Sequence, residues 1–354
     1  MTDQSLAEQV KNDIQSLQSS MRDLQSSVRM TDIRDSVEDL GSSVTGMDRR
    51  IQSLRERGYA FEKELEEKAV DFEKEWTGII PNLQAQIEKE ASVMERSLRP
   101  LETQITQVAG DSSAPAALRP RVSRLKSQVE TLEGKVEAAE QSIRGGYDQF
   151  SSDVQQVKYH LTKLEWMLTE LSEASFELLA TESGIMAVKA AWAKGGEKHK
   201  DDPEGVLYLT DQRILFEQKE KVATKKILFI TTEKKLVQGL LWEAPVALIE
   251  KTKASKEGFL NKDDFIKVHF SSGAPYDVVN IHIWQRGDEW KALLKRAKAK
   301  EFDKTRAIAI DEAVAEKVKD APTKCPSCGG ELNQVILRGM ESITCEYCGD
   351  VIRL

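Results

Sequence analysis

The sequence predicts a multidomain protein with separate α and β parts: long coiled-coil helices, an antiparallel β-barrel with a C-terminal helix, and a small cysteine-pinned module. Three observations predict this. Apolar residues recur in alternating steps of three and four through the first 180 residues. From Ser183 onward, short apolar and β-branched runs alternate with turn residues. All four cysteines fall within the last thirty residues.

Composition sets the frame. The chain has 354 residues, with 51 Lys plus Arg against 59 Asp plus Glu, a net charge of −8. Charged residues make up 31% and aromatics 6%, a balance that favours long helix over compact core. At about 150 residues per domain the length allows two or three domains. The acidic balance argues against a chain that coats nucleic acid. No apolar run is long enough to cross a membrane as a helix, and the first thirty residues lack an apolar signal core. A cytoplasmic location is expected, with peripheral membrane contact left open.

Residues 1–180 read as coiled-coil helices. Ile14, Leu17, Met21, Leu24 and Val28 form a seam that slips by one residue before Ile33 and resumes at Val37, Leu40, Val44, Met47, Ile51 and Leu54. Such a narrow apolar stripe requires a partner helix. A second seam runs from Ile87 to Val108, with breaks or kinks expected at Pro81 and Pro100 because proline lacks an amide donor. The Gly-, Ser- and Pro-rich segment 109–120 reads as the turn of a hairpin. The cleanest seam follows, from Val122 to Ile143, and resumes after Gly145-Gly146 from Tyr147 to Leu171. The simplest packing folds the two later stretches on each other. Residues 1–54 then overhang and pair with another copy, giving a homo-oligomer.

Residues 183–304 read as the β part. GVLYLTDQRILFEQ (205–218) predicts two strands joined at Thr210-Asp211-Gln212. Further strands follow through APVALIEKTKA, DFIKVHFSS and YDVVNIHIW, and Trp290, Leu293, Leu294 and Ala297 predict one amphipathic helix. Trp192, Trp242, Trp284 and Trp290 are read as core. GVLYLTDQRILFE resembles a signature of GRAM and bacterial PH-like domains, and APVALIEKTKASKEGFLNKDDFIKVHF is similar to a later part of the same family. The resemblance implies a PH-like barrel that binds lipid headgroups, peptides or other domains, without saying which.

Residues 305–324 read as a linker and 325–354 as the cysteine module. Cys325 and Cys328, and Cys345 and Cys348, form two Cys-x-x-Cys pairs sixteen residues apart. Four thiolates suit a soft, tetrahedral dication, so the expectation is one structural Zn²⁺ per chain with no open coordination position. The pattern closely resembles a zinc ribbon. Glu331–Leu337 and Glu341–Thr344 are predicted as its strands, turning at Arg338-Gly339. A redox role is disfavoured because no thioredoxin-type βαβ context surrounds either pair.

Residues 183–304 carry 23 Lys plus Arg against 18 Asp plus Glu, a net of +5 in an acidic chain. Lys198, Lys200, Lys251, Lys253 and Lys256, with Phe259 and Leu260, are therefore candidate contacts to an anionic membrane or a protein partner. The competing reading is a set of solvated loop lysines. No phosphate-binding loop, nucleophile elbow or His-Glu-x-x-His motif occurs. The expected function is a non-enzymatic cytoplasmic scaffold or adaptor, self-associating through its coiled coil and docking protein or membrane through the PH-like domain. The alternatives are a peripheral membrane-remodelling or tethering protein that binds anionic lipid, and a nucleic-acid-associated factor acting through the ribbon. Nucleic acid is the least favoured partner because few basic residues lie near the cysteines.

Overall fold

The computed structural model describes residues 3–197, 199–227, 230–258, 262–311, 313–314, 316 and 321–354, without the side chains of 3–5, 223–227 and 230–234. The chain divides into two compact units: Met1–Asp48 with Lys68–Lys158, and Arg49–Glu67 with Tyr159–Leu354.

The first unit is helical. It holds α1 (Asp3–Ser27) and α2 (Thr31–Thr45), most of α4 (Glu64–Ala109), α5 (Pro115–Gly145) and the start of α6 (Asp148–Ser172). The one-residue slip in the first seam becomes a break between α1 and α2, where Met30 sits at φ 54°. The seam residues Leu17, Leu24, Ile33, Leu40 and Val44 are buried within the single chain. Both α1 and α2 lie against α5. Gln25 donates to Glu102 (2.6 Å) and Arg34 to Glu88 (3.0 Å), tying them to α4 as well. The expected overhang of residues 1–54 is thus corrected. Three stripes on three helical stretches can cover one another, whereas a two-helix hairpin would leave the third uncovered.

α4 runs through both Pro81 and Pro100, so neither proline breaks the helix. Each removes one backbone bond, but Trp76, Leu83, Ile87, Leu98 and Leu101 on either side are buried and hold the helix in place. The hairpin turn is shorter than the predicted segment. Only 110–114 is non-helical, and α5 starts on Pro115, a position where the missing amide costs nothing. Asp111 closes this turn. The hydroxyl and amide of Ser113, with Arg121, hold its carboxyl down to about 2.

The second unit is built on a seven-stranded antiparallel sheet: β1 (Gly184–Trp192), β2 (Glu204–Thr210), β3 (Arg213–Ile227), β4 (Ile230–Pro245), β5 (Ile249–Glu257), β6 (Asp263–Phe270) and β7 (Val278–Ile283). The order is β4-β3-β2-β1-β7-β6-β5. The predicted barrel is therefore not closed, since β4 and β5 are its two edges. The composition of β5 explains why. Glu250, Lys251, Lys253 and Lys256 are exposed on it, and charged residues on an edge strand oppose further pairing. Helix α7 (Gly287–Lys298) packs on β5, β6 and the short 3₁₀ turn Val246–Leu248, burying Trp290, Leu294 and Ala297.

The same unit contains most of α3 (Met47–Glu56) and the irregular link to α4, whose Tyr59, Ala60 and Phe61 are buried. The segment after α7 pairs with this link. Lys63 N–H donates to Thr305 O (2.9 Å), and Ala307 N–H to Ala60 O (2.8 Å). The cysteine module contributes β8 (Ser342–Thr344) and β9 (Val351–Arg353), which pair with each other. The strand predicted over Glu331–Leu337 is absent apart from one bridge, Lys324 to Glu331. That stretch is irregular, and the hairpin forms around the second cysteine pair.

Candidate metal centre and its anchor

Two similar turns bring the four cysteines together. Gly329 N–H donates to Cys325 O (2.8 Å), and Gly349 N–H to Cys345 O (2.9 Å). Gly329 and Gly349 sit at φ 70° and 75°, the left-handed region that glycine enters without a Cβ penalty. Each turn is closed by a returning bond, Cys325 N–H to Gly330 O and Cys345 N–H to Asp350 O, both 2.8 Å. Cys325, Ile343, Cys345 and Ile352 form a small core, with Leu332, Ile336, Met340 and Leu354 packed against it.

All four Sγ atoms lie within 4.8 Å of one another. Cys325 to Cys348 and Cys328 to Cys345 are each 3.7 Å apart. A tetrahedron with metal–sulfur bonds of about 2.3 Å has sulfur edges of about 3.8 Å, close to these two separations, so the cluster has the size to hold a metal ion. The electrostatics agree. Backbone N–H groups of Cys348 and Tyr347 help bring the Cys345 thiol down to about 7. Cys348 receives similar help from the Asp350 amide, but its sulfur neighbours and burial outweigh this and push it up to about 12. Thiolates this close do not all ionise unless a cation shares the site.

The module is anchored to the sheet through the turn between β2 and β3. Gln212 grips the backbone of Arg338 from both sides: its Nε2 donates to Arg338 O (3.0 Å), and its Oε1 accepts from Arg338 N–H (2.5 Å). Asp211 accepts from Ser183 N–H (3.0 Å), from Arg306 Nη1 (2.7 Å) and from Arg338 Nη2. Its side chain is 3% exposed, and burial raises its pKa despite the two guanidinium groups. The next residue of the turn faces inward. Arg213 makes a two-pronged contact with Glu182 (3.0 and 2.6 Å) and a third with Glu243 (2.6 Å). Burial opposes its charge, but the two carboxylates outweigh burial and raise its pKa. Thr210 Oγ1 donates to Glu182 and accepts from the amides of Gln212 and Arg213.

Residues 211–212 thus join the β2–β3 connection to the cysteine module. Sequence reasoning read Thr210-Asp211-Gln212 as a turn and Arg213 as the start of the next strand, and gave none of them a partner. The available signal was four consecutive polar residues between two apolar strands.

The candidate docking lysines are dispersed. Lys200 is exposed on the β1–β2 connection, and Lys251, Lys253 and Lys256 are exposed on β5. Lys256 pairs with Asp264 at 3.3 Å. Lys198, Phe259 and Leu260 lie outside the described residues. One of the four tryptophans read as core is corrected: Trp284 is 50% exposed. It follows the end of β7, outside the buried register, and borders a groove of 550 Å³ with Trp166, Leu236 and Lys189.

No family model matches the chain, and no curated protein matches it in sequence. Solved structures that resemble it include the DH/PH domains of p115-RhoGEF, at 14% identity and a TM-score of 0.22, covering 84% of this chain and 95% of that one. A point-mutant form of the same domains matches at 11% identity and a TM-score of 0.19, covering 86% and 100%. Likenesses this loose carry no argument. Fold and site define an α-helical unit and an open antiparallel sheet that carries a module with four clustered cysteines able to hold a metal ion.

Proposed function

We propose that this chain is a non-enzymatic scaffold or adaptor whose PH-like sheet docks a protein partner. A single structural Zn²⁺ in the cysteine module holds the residues that clamp the sheet's β2–β3 turn. Four thiolates leave a zinc ion no open position for water, which gives the metal a structural role. A module this small depends on metal for much of its folding energy.

The groove beside Trp284 carries the docking reading. Trp284 and Leu236, 50% and 49% exposed, border it. Its cations Lys189, Lys219 and Lys221 are matched in number by Glu170, Glu204 and Glu220. An apolar, charge-balanced groove suits a protein segment with an apolar anchor side chain better than it suits an anionic surface. The test is affinity capture with the full chain and with Trp284→Ala/Leu236→Ala, checking the fold by circular dichroism. Partners held by the native chain and lost from the folded variant support the reading, and equal capture by both overturns it.

The alternative of anionic membrane binding draws on the +5 charge of residues 183–304 and on exposed Lys251 and Lys253. Salt-sensitive flotation with anionic liposomes, lost in Lys251→Glu/Lys253→Glu, would favour it, and absence of flotation removes it. The homo-oligomer expected through the coiled coil required an uncovered seam. With that seam covered within the chain, light scattering decides between 39.8 kDa and a multiple of it. Labelled DNA and RNA titrated against the full chain decide the nucleic-acid alternative.

A further inference from the structure

A cavity of 310 Å³ lies where the cysteine module meets the sheet. It is small for a ligand site but within the range that such sites occupy. Its walls are mainly apolar: Val246 from the 3₁₀ turn, Ala297 from α7, and Val335, Ile336 and Leu337 from the module. Charged groups sit around them. Asp211 and Asp303 face Arg306 and Arg338, two anions against two cations. Lys298 and Lys300 also line the cavity and are exposed. Arg306 stands outside the lining, so three cations there (Lys298, Lys300, Arg338) meet two anions (Asp211, Asp303), a net charge of +1.

Further details bear on the ligand. Arg338 Nε is a buried donor without a hydrogen-bond partner and suits an anionic acceptor. Asp303 Oδ1, 3.8 Å from both Arg306 and Arg338 and too far for direct hydrogen bonds, is an acceptor that keeps the anion's head to the lysine side of the cavity. Lys300 is held at φ 54°, a conformation unfavourable for a side chain-bearing residue and concentrated at functional positions.

We propose that this cavity binds a small amphipathic anion, its apolar body against Val246, Ala297 and Ile336 and its charged head on Lys298 and Lys300. This is a site distinct from the groove beside Trp284 and does not depend on the docking reading. Because Val335–Leu337 form one wall, the metal module completes the site.

The experiment is calorimetric titration of the metal-loaded full chain with octanoate, octanol and octylammonium, below the concentrations at which they aggregate. Octanoate is expected to bind saturably at one site, at least tenfold tighter than the other two. Shortening it to heptanoate should weaken binding about fourfold, the effect of one buried methylene. Lys298→Glu/Lys300→Glu, both at exposed positions, should lose octanoate binding at least tenfold. Val335→Trp, which fills the cavity from a residue outside the cysteine core, should abolish it in a chain that still holds its metal. Absence of saturable octanoate binding overturns the proposal. So does equal binding of octanol, which would show that charge is not read, or full binding by folded Val335→Trp, which would place the ligand elsewhere.

Discussion

Replacing Arg213 with methionine keeps the length of the side chain and removes its charge. Glu182, whose side chain is fully buried, then loses the guanidinium that met both of its oxygens. It keeps the Thr210 hydroxyl and the Leu179 amide. Breaking a buried pair from one side costs about 3–5 kcal/mol, chiefly through the stranded charge. The Arg213–Glu243 contact adds less, about 0–1 kcal/mol, because Glu243 is 42% exposed. A loss of about 4 kcal/mol is expected, a large share of a typical domain's stability of about 5–15 kcal/mol. The assay is urea denaturation followed by the fluorescence of Trp192, Trp242 and Trp290, all buried in the sheet unit. The paired variant Glu182→Gln/Arg213→Met, which strands no charge, should recover much of the loss. A cost below about 1 kcal/mol for Arg213→Met would refute the reasoning. A double variant less stable than the single one would refute it equally.

Four more outcomes follow. One metal equivalent per chain should be found by elemental analysis, and Cys345→Ser should lose it and unfold the module while the sheet's tryptophan transition survives; a variant retaining full metal would contradict the four-thiolate site. Leu40→Ala, at a position 3% exposed, should cost about 2–5 kcal/mol of the helical unit's stability, measured by circular dichroism during denaturation. Burial pushes the Glu62 carboxyl up, but the 2.6 Å bond and charge of His160 outweigh it and hold the pKa below the ordinary 4.5. The ionised form therefore stabilises the fold fully above pH 4.5 and loses that contribution as pH falls through the lowered value, so Glu62→Gln should flatten the acid limb of the stability profile. Gln212→Ala should loosen the module from the sheet, read as faster amide exchange over 335–339 with the metal still bound.

The seam of residues 14–54 shows how far sequence reaches. Periodicity announced which residues would be buried, because a heptad stripe has one apolar side in any packing. It did not announce what would bury them. An intermolecular partner and a third stripe of the same chain satisfy the same local pattern, and only tertiary packing set α1 and α2 against α5. The cysteine pairs stand at the other extreme. Two Cys-x-x-Cys turns restrict their sulfurs so tightly that the clustering of the four cysteines was legible from spacing alone.

The strands of 183–283 were legible in the same way, since alternation and turn residues are local. Whether the first and last strands would meet was not, because closure depends on twist and on the charged edge of β5. Residues 210–213 and Trp284 escaped for the opposite reason. A polar turn is ordinarily solvated and a tryptophan ordinarily buried, and each exception arises from groups far away in sequence. By itself the sequence determined the elements, the apolar stripes and the four sulfurs. Only the tertiary structure decided which stripe covers which, where the sheet stops, and that Asp211 and Gln212 hold the cysteine module, because burial and pairing are set by neighbours more than a hundred residues distant.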